Sequence, residues 1–244
     1  MSLAMRTLGR KNNGVMFEPD ANTVLWLPGQ EDAYSATIRD WSGNGNNGAI
    51  TGATWIQNGW GLWTLYFDGG DFVTITSTLT QLAATTVGTF NCWVNVPDAT
   101  PAANMTFISF GDTDANTGIY MLVLTSGKLY CAMNLAGGLW TVVTNDAVFV
   151  DNTWAMATIV QNGVSPVLYY NGVAVAQTPA GTKDKWFADA AGLDNGFVGK
   201  LYNNTVDNQS RITGSIALAM IPSTNLSASQ VLDLYNQSRH LFGV

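Results

Sequence analysis

The stretch RDWSGNGNNGAITGATW, Arg39–Trp55, places three glycines and three asparagines in the six residues Gly43–Gly48. A run this polar and bendable reads as a surface loop. It lies between an apolar segment and a tryptophan-rich one, so it joins two elements that both have to reach a core. Its side-chain oxygens have a second property. Asp40, Ser42, Asn44 and Asn46 alternate along the chain and can converge on one point while the glycines allow the sharp turn. Two readings stay open, a bare turn or half of a calcium site. A helix–loop–helix calcium loop needs a bidentate glutamate where Thr51 stands, which excludes that geometry. A structural calcium ion would instead take Asp40, Asn44 and Asn46, and complete its shell from Asp68 and Asp71 of the FDGGD turn.

Outward from this loop, the chain from Val24 onward is a series of apolar runs of four to eight residues with turn signals between them. VLYY meets VAVA across Asn171-Gly172, the strongest short hairpin signal, because both central residues of a type I′ turn need positive φ. GIYMLVL and KLYCAM flank Ser126-Gly127 in the same way, and LWTLYF and DFVTI flank Gly69-Gly70. TFNCWVNV, MTFISF, LWTVVT, WAMATIVQ, NGFVGKLY and GSIALAMI read as further strands. No strand–helix–strand rhythm interrupts them. The pattern predicts an all-β chain, an antiparallel two-sheet β-sandwich. One short helix is expected near the C-terminus, where NLSASQVLDLYNQSR carries a capping box, Ser227 with Gln230. Leu226 and Val231 are spaced as its hydrophobic staple, and Val231, Leu234 and Tyr235 share one face.

The 244 residues suit one domain of this class, since sandwiches run to about 250 residues. Residues 1–23 are expected to form a loosely ordered N-terminal arm, and residues 24–244 a single domain with no linker or repeat. The start has basic residues but no apolar run behind them, so it carries no secretory signal pattern. No window approaches the ~20 apolar residues that span a bilayer, so membrane insertion is not expected. A net charge of −7 argues against nucleic acid, and the only basic cluster, Arg6, Arg10 and Lys11, lies in the arm. Cys92 and Cys131 sit in strand-like segments and read as buried free thiols rather than a disulfide framework.

Catalysis finds little support. Glycosidases place two carboxylates across the scissile bond. This chain has two glutamates, Glu18 and Glu31, both ahead of the main run of strands, and its aspartates fall mostly in turns. The one histidine, His240, lies four residues from the end and serves neither a triad nor a metal site. What remains is aromatic surface and polar loops. Of nine tryptophans, Trp63 and Trp93 fall in strands and are assigned to the core. Trp60, Trp140 and Trp186 fall beside loop glycines, asparagines and charges, and are the candidates for stacking on a sugar.

The segments DWSGNGNNGAITGATW and YFDGGDFVTI resemble the opening of the laminin-G-like, concanavalin A-like lectin/glucanase family. FNCWVNV, DNTWAMATIVQNG, LYYNGVAVA and RITGSIALAMIPSTNLSASQVLDLY follow in that family's order, so the resemblance runs from about Val24 to Tyr235. It implies a concanavalin A-like jelly roll, glycan or polysaccharide as partner, and an extracellular or virion-surface location. In the family the closing strand often reads Gly-x-Ile-Asp-Glu, and its Asp can join a calcium ion to the first loop. Here it reads Gly214-Ser215-Ile216-Ala217-Leu218, without either acid. The expected function is therefore a non-catalytic, lectin-like module. A virion or appendage structural or adhesion protein, using the sandwich to hold a protein partner or form a homo-oligomer, is the alternative. A glycoside hydrolase of the same superfamily ranks third, for want of a carboxylate pair.

Overall fold

A computed structural model describes residues 18–135 and 138–244. The basic cluster Arg6, Arg10 and Lys11 and most of the expected arm lie outside the described residues, as does Gly137. Strands make up most of the regular structure. One sheet has eight strands. Its path runs β14 (Val173–Ala174), β13 (Pro166–Tyr170), β12 (Trp154–Gln161), β7 (Gly88–Asn95), β19 (Thr213–Pro222), β5 (Trp63–Asp68) and β4 (Thr54–Gln57). The eighth strand, β1 (Thr23–Leu27), pairs with the second half of β19. The other sheet has nine strands. It runs β15 (Gln177–Gly181), β11 (Trp140–Thr144), β10 (Leu129–Leu135), β9 (Thr117–Val123), β8 (Met105–Gly111), β16 (Asn195–Val198), β6 (Phe72–Thr74), β3 (Gly48–Thr51) and β2 (Thr37–Ile38). A separate hairpin joins β17 (Leu201–Asn203) to β18 (Val206–Gln209). All pairings are antiparallel, as the strand pattern predicts.

Alternation explains the packing. Along β7, Phe90, Cys92 and Val94 enter the core between the sheets, where they meet Ala155, Ala157 and Ile159 of β12. Trp93 points the other way, into a second apolar cluster with Trp26, Met156, Leu218 and Met220. That cluster is closed by the helix α1 (Ala228–Ser238) and the residues after it. Trp93 stacks on Phe242 at 4.1 Å and on Tyr235 at 5.7 Å, and its indole N–H donates to Ser238 Oγ at 3.0 Å. One sheet is thus buried on both faces. Cys92 and Cys131 are free, fully buried thiols, and burial pushes both up from the ordinary thiol range.

The Asn171-Gly172 and Ser126-Gly127 hairpins form as expected, as β13–β14 and β9–β10. The Gly69-Gly70 segment does not close a hairpin. It is a corner that carries the chain from β5 in one sheet to β6 in the other. Asp71 holds this corner by accepting from the backbone N–H of Asp68 at 2.9 Å. NGFVGKLY likewise breaks at Gly199-Lys200, so that β17 leaves the sheet that β16 belongs to. The closing strand explains its own sequence. At Gly214 a side chain would run into the carbonyl of Asn95 on β7. At Leu218, φ is 51° and the register shifts, and there β19 exchanges β5 for β1 as its neighbour. A left-handed leucine costs about 1–2 kcal/mol. Its side chain, fully buried in the second cluster, offsets that cost.

The Arg39–Trp55 loop is a clasp on β1. Asp40 Oδ1 accepts from the backbone N–H of Trp26 at 3.0 Å and of Ser42 at 2.9 Å. Its Oδ2 accepts from Asn46 N at 2.9 Å and Ser42 Oγ at 2.7 Å. Asn44 and Asn46 donate side-chain N–H to the carbonyls of Thr23 and Val24. Gly43 and Gly45 supply the positive φ that wraps the loop around one carboxylate. The open edge of β1, which would otherwise present unpaired backbone groups, is therefore satisfied by side chains.

Two substitutions test these local structures. At the helix start, Ser227 Oγ accepts from Gln230 N at 3.3 Å and Gln230 Oε1 accepts from Ser227 N at 2.8 Å. Ser227→Ala is expected to lower stability by about 1 kcal/mol, read as a drop in the thermal midpoint. Asp40→Ala strips the acceptor from four donors and is expected to cost about 2 kcal/mol in urea unfolding. That loss should be equal in calcium and in chelator. A wild-type midpoint that chelator lowers would restore the calcium reading.

Candidate functional site

The six to eight oxygens of a calcium shell are not assembled around Asp40. A carboxylate has about four lone-pair sites, and four N–H and O–H donors already occupy those of Asp40. Asp71 adjoins Gly52 at the far end of β3 from Asp40, since β3 and β6 pair Thr51 with Phe72. Asp68 turns inward on its own corner, its Oδ1 accepting from Gly70 N at 2.8 Å. The expected ligand set Asp40, Asn44, Asn46, Asp68 and Asp71 is thus divided between the two ends of β3, which corrects the expectation that these loops meet. Burial raises the carboxyl of Asp71. Among the described residues no group of three or more His, Cys, Asp or Glu side chains is placed to hold a metal.

Two of the three sugar-stacking candidates are also corrected. Trp140 is 1% exposed and Trp186 is 0% exposed. Trp140 alternates with Val142 on the inward side of β11, and its indole N–H donates to the carbonyl of Lys185 at 3.0 Å. Trp186 stacks on it with ring centroids 6.2 Å apart and packs against Phe90 and Phe187. The loop glycines and charges beside these rings in sequence do not share their environment. Trp60 differs, with 67% of its surface exposed. Asn58 sets its turn, accepting from Trp60 N and Leu62 N and donating to the carbonyl of Leu241. One face of the ring rests on Gly243. Trp63 is half-buried against the core and Trp93 is buried, as their strand positions predict.

The surface best equipped for a ligand is the outer face of the nine-stranded sheet. Helix α1 packs on the outer face of the partner sheet, whereas among the described residues no helix packs on this one. Inward Ile119, Met121, Cys131 and Met133 force Tyr120 and Tyr130 outward. The register sets Tyr120 opposite Ala132, Ala132 opposite Thr141, and Tyr130 opposite Val143. The two tyrosine rings lie 6.3 Å apart, and Asn134 Nδ2 donates to the Tyr120 hydroxyl at 3.0 Å. Tyr120, Tyr130, Asn134, Thr141 and Val143 are all half-buried, with part of each open to solvent. Burial raises both phenols above the ordinary tyrosine range, although the Asn134 bond draws Tyr120 back in part. Both hydroxyls therefore stay protonated donors at neutral pH.

The β17–β18 hairpin bounds this face on one side. It lies over β8, where Ser210 O accepts from Thr106 N at 2.7 Å and a side chain at Gly111 would meet the carbonyl of Tyr202. Lys200, at its base, is buried with Nζ 3.8 Å from the Phe72 ring and 4.2 Å from that of Phe197. Neither tyrosine was singled out from sequence. The signal was present, because alternation along GIYMLVL and KLYCAM puts both on the side away from the core.

Solved structures share this architecture. The Ruminococcus gnavus IT-sialidase CBM40 bound to α2,3-sialyllactose aligns with a TM-score of 0.61 at 14% identity, over 70% of this chain and 96% of that one. A leech intramolecular trans-sialidase aligns at 0.61 and 15%, over 71% of this chain and 27% of its own. A Trypanosoma rangeli sialidase mutant displaying trans-sialidase activity aligns at 0.66 and 13%, over 93% of this chain and 34% of its own. At such identities the likeness is one of fold. No curated protein sequence matches the chain. A family model, described as the concanavalin A-like lectin/glucanases superfamily, matches residues 67–232, more than half of the chain. With its two antiparallel sheets and terminal helix, the chain belongs to the concanavalin A-like lectin/glucanase superfamily.

Proposed function

We propose that this protein is a non-catalytic carbohydrate-binding module whose sugar site is the outer face of the nine-stranded sheet, around Tyr120, Tyr130, Asn134 and Thr141. The observation that carries the reading is the tyrosine pair, two protonated phenols beside an amide and a hydroxyl on the outer face of this sheet. A sugar presents an apolar C–H face and a rim of hydroxyls. Tyrosine meets both, with a flat ring and a polar tip. Asn134 and Thr141 add donors and acceptors, and a few placed polar groups of this kind fix orientation in a small-molecule site. The fold shared with a sialyllactose-bound module supports the same reading.

The carboxylates support a non-catalytic role. Glu31 is paired with Arg39 at 3.2 Å, and Asp40, Asp71, Asp98, Asp112, Asp151 and Asp194 accept backbone N–H groups in turns. A glycan ligand is in keeping with an extracellular or virion-surface setting. Among the described residues no helix is long and apolar enough to cross a membrane.

Calorimetric titration with α2,3-sialyllactose and with lactose, after a glycan array, tests the proposal. Tyr120→Ala and Tyr130→Ala are each expected to weaken binding more than tenfold, a loss of about 1.4 kcal/mol or more, with the fold retained. Trp60→Ala should leave affinity unchanged. Absence of binding to every glycan on the array, or a loss confined to Trp60→Ala, would overturn this site.

A further inference from the structure

Five strands form the open edges of the two sheets, and four are protected in recognisable ways. β14 and β2 are two residues long, β15 carries Pro179 at its centre, and β1 is clasped by the Asp40 loop. Short strands, prolines and covering loops are the usual means of blocking edge-to-edge association. β4, Thr54–Gln57, has none of these among the described residues.

Its hydrogen-bonding geometry follows from the register. Asn58 N donates to Leu62 O at 3.0 Å, one step beyond the Gln57–Trp63 pair. Hydrogen-bonded pairs alternate in an antiparallel ladder. Ile56–Thr64 and Thr54–Tyr66 are therefore bonded pairs, and Trp55 and Gln57 turn N–H and C=O away from β5. Among the described residues nothing bonds to these four groups. Apolar side chains flank the edge on both faces. Tyr34, 82% exposed with φ of 68°, lies edge-on to Trp63 at 5.3 Å on one side. Ile56, 36% exposed, and Trp60 lie on the other side and in the adjoining turn.

Charge selects the partner. The chain carries −7 overall, yet no charged residue occurs between Asp40 and Asp68. Glu31 and Asp32, in the loop that carries Tyr34, are both paired with Arg39, so two copies can meet along β4 with little like-charge repulsion. We propose that β4 is a homodimer interface, pairing antiparallel with β4 of a second copy about a two-fold axis at Ile56. In that register Trp55 faces Gln57 of the partner and Gln57 faces its Trp55. Each of these two pairs exchanges two backbone hydrogen bonds, four in all. Ile56 meets its own copy in the closely spaced non-bonded position, and the two eight-stranded sheets become one continuous sheet. An isologous contact of this kind closes on itself and ends at two copies.

Sedimentation equilibrium of the full chain across a concentration series tests the proposal. A dimer of twice the 26.1 kDa chain mass is expected. Ile56→Lys sets two like charges against each other on the axis. Gln57→Pro removes an outward N–H that no bond among the described residues uses. Each is expected to weaken dimerisation at least tenfold, with circular dichroism and the thermal midpoint of the monomer unchanged. Val173→Lys, on the β14 edge, should leave it intact. A wild type that stays monomeric at the highest concentration, or a dimer that survives both β4 variants, would overturn the proposal. So would binding of a foreign chain along β4 in place of a second copy.

Discussion

Strand β19 bonds to β7 along one edge and to two successive strands, β5 then β1, along the other. The eight-stranded sheet depends on that exchange. It is made at Leu218, where a left-handed residue ends pairing with β5 and lets Ala219–Pro222 pick up β1. β1 comes from the start of the described chain and β19 from near its end, so the pairing closes the fold across nearly its whole length. Neither partner of the exchange is left open. Gln30 bonds to both backbone groups of Trp63 at the start of β5, and Asp40 with its asparagines occupies the outer edge of β1. The polar loops of this chain act largely as substitutes for missing strands.

The second consequence of β19 is the burial of one sheet on both faces. Trp93 and Met220 project from the outer face of that sheet, and an exposed indole stacked on nothing would be a liability. The terminal helix and Phe242 cover them, and Ser238 satisfies the indole N–H. Among the described residues no helix packs in the same way on the outer face of the nine-stranded sheet. The place proposed for the sugar site therefore follows from where the C-terminal helix packs. On that side Tyr120, Ala132 and Thr141 form one row across three strands, with the Tyr130 ring beside Tyr120.

Much of the strand framework was legible from alternation and from two Gly-containing turns, because a buried strand face and a positive-φ hairpin leave local marks. The capping box was legible for the same reason, being confined to four residues. Errors arose wherever sequence neighbours were taken for spatial ones. Trp140 follows glycines, yet its position in β11 turns it inward with Val142. The oxygens around Asp40 do converge, but they do so with donors among them, and the carboxylate serves those donors. Gly69-Gly70 marks a turn correctly, but a turn signal does not say whether the next strand stays in the same sheet. Tyr120 and Tyr130 were hidden by their ordinary strand contexts, since only the placement of the terminal helix tells which outer face is open.

The two thiols, one on β7 and one on β10, face each other's sheets from within the main core. Each is shielded completely, and each is held in its protonated, unreactive form by burial. Fraying of a terminus or movement of a loop exposes neither. An alkylating reagent can reach them only when the sheets part, so the rate of cysteine modification in native buffer measures the opening of the whole sandwich. The chain carries, without any added probe, a clock for its own global unfolding.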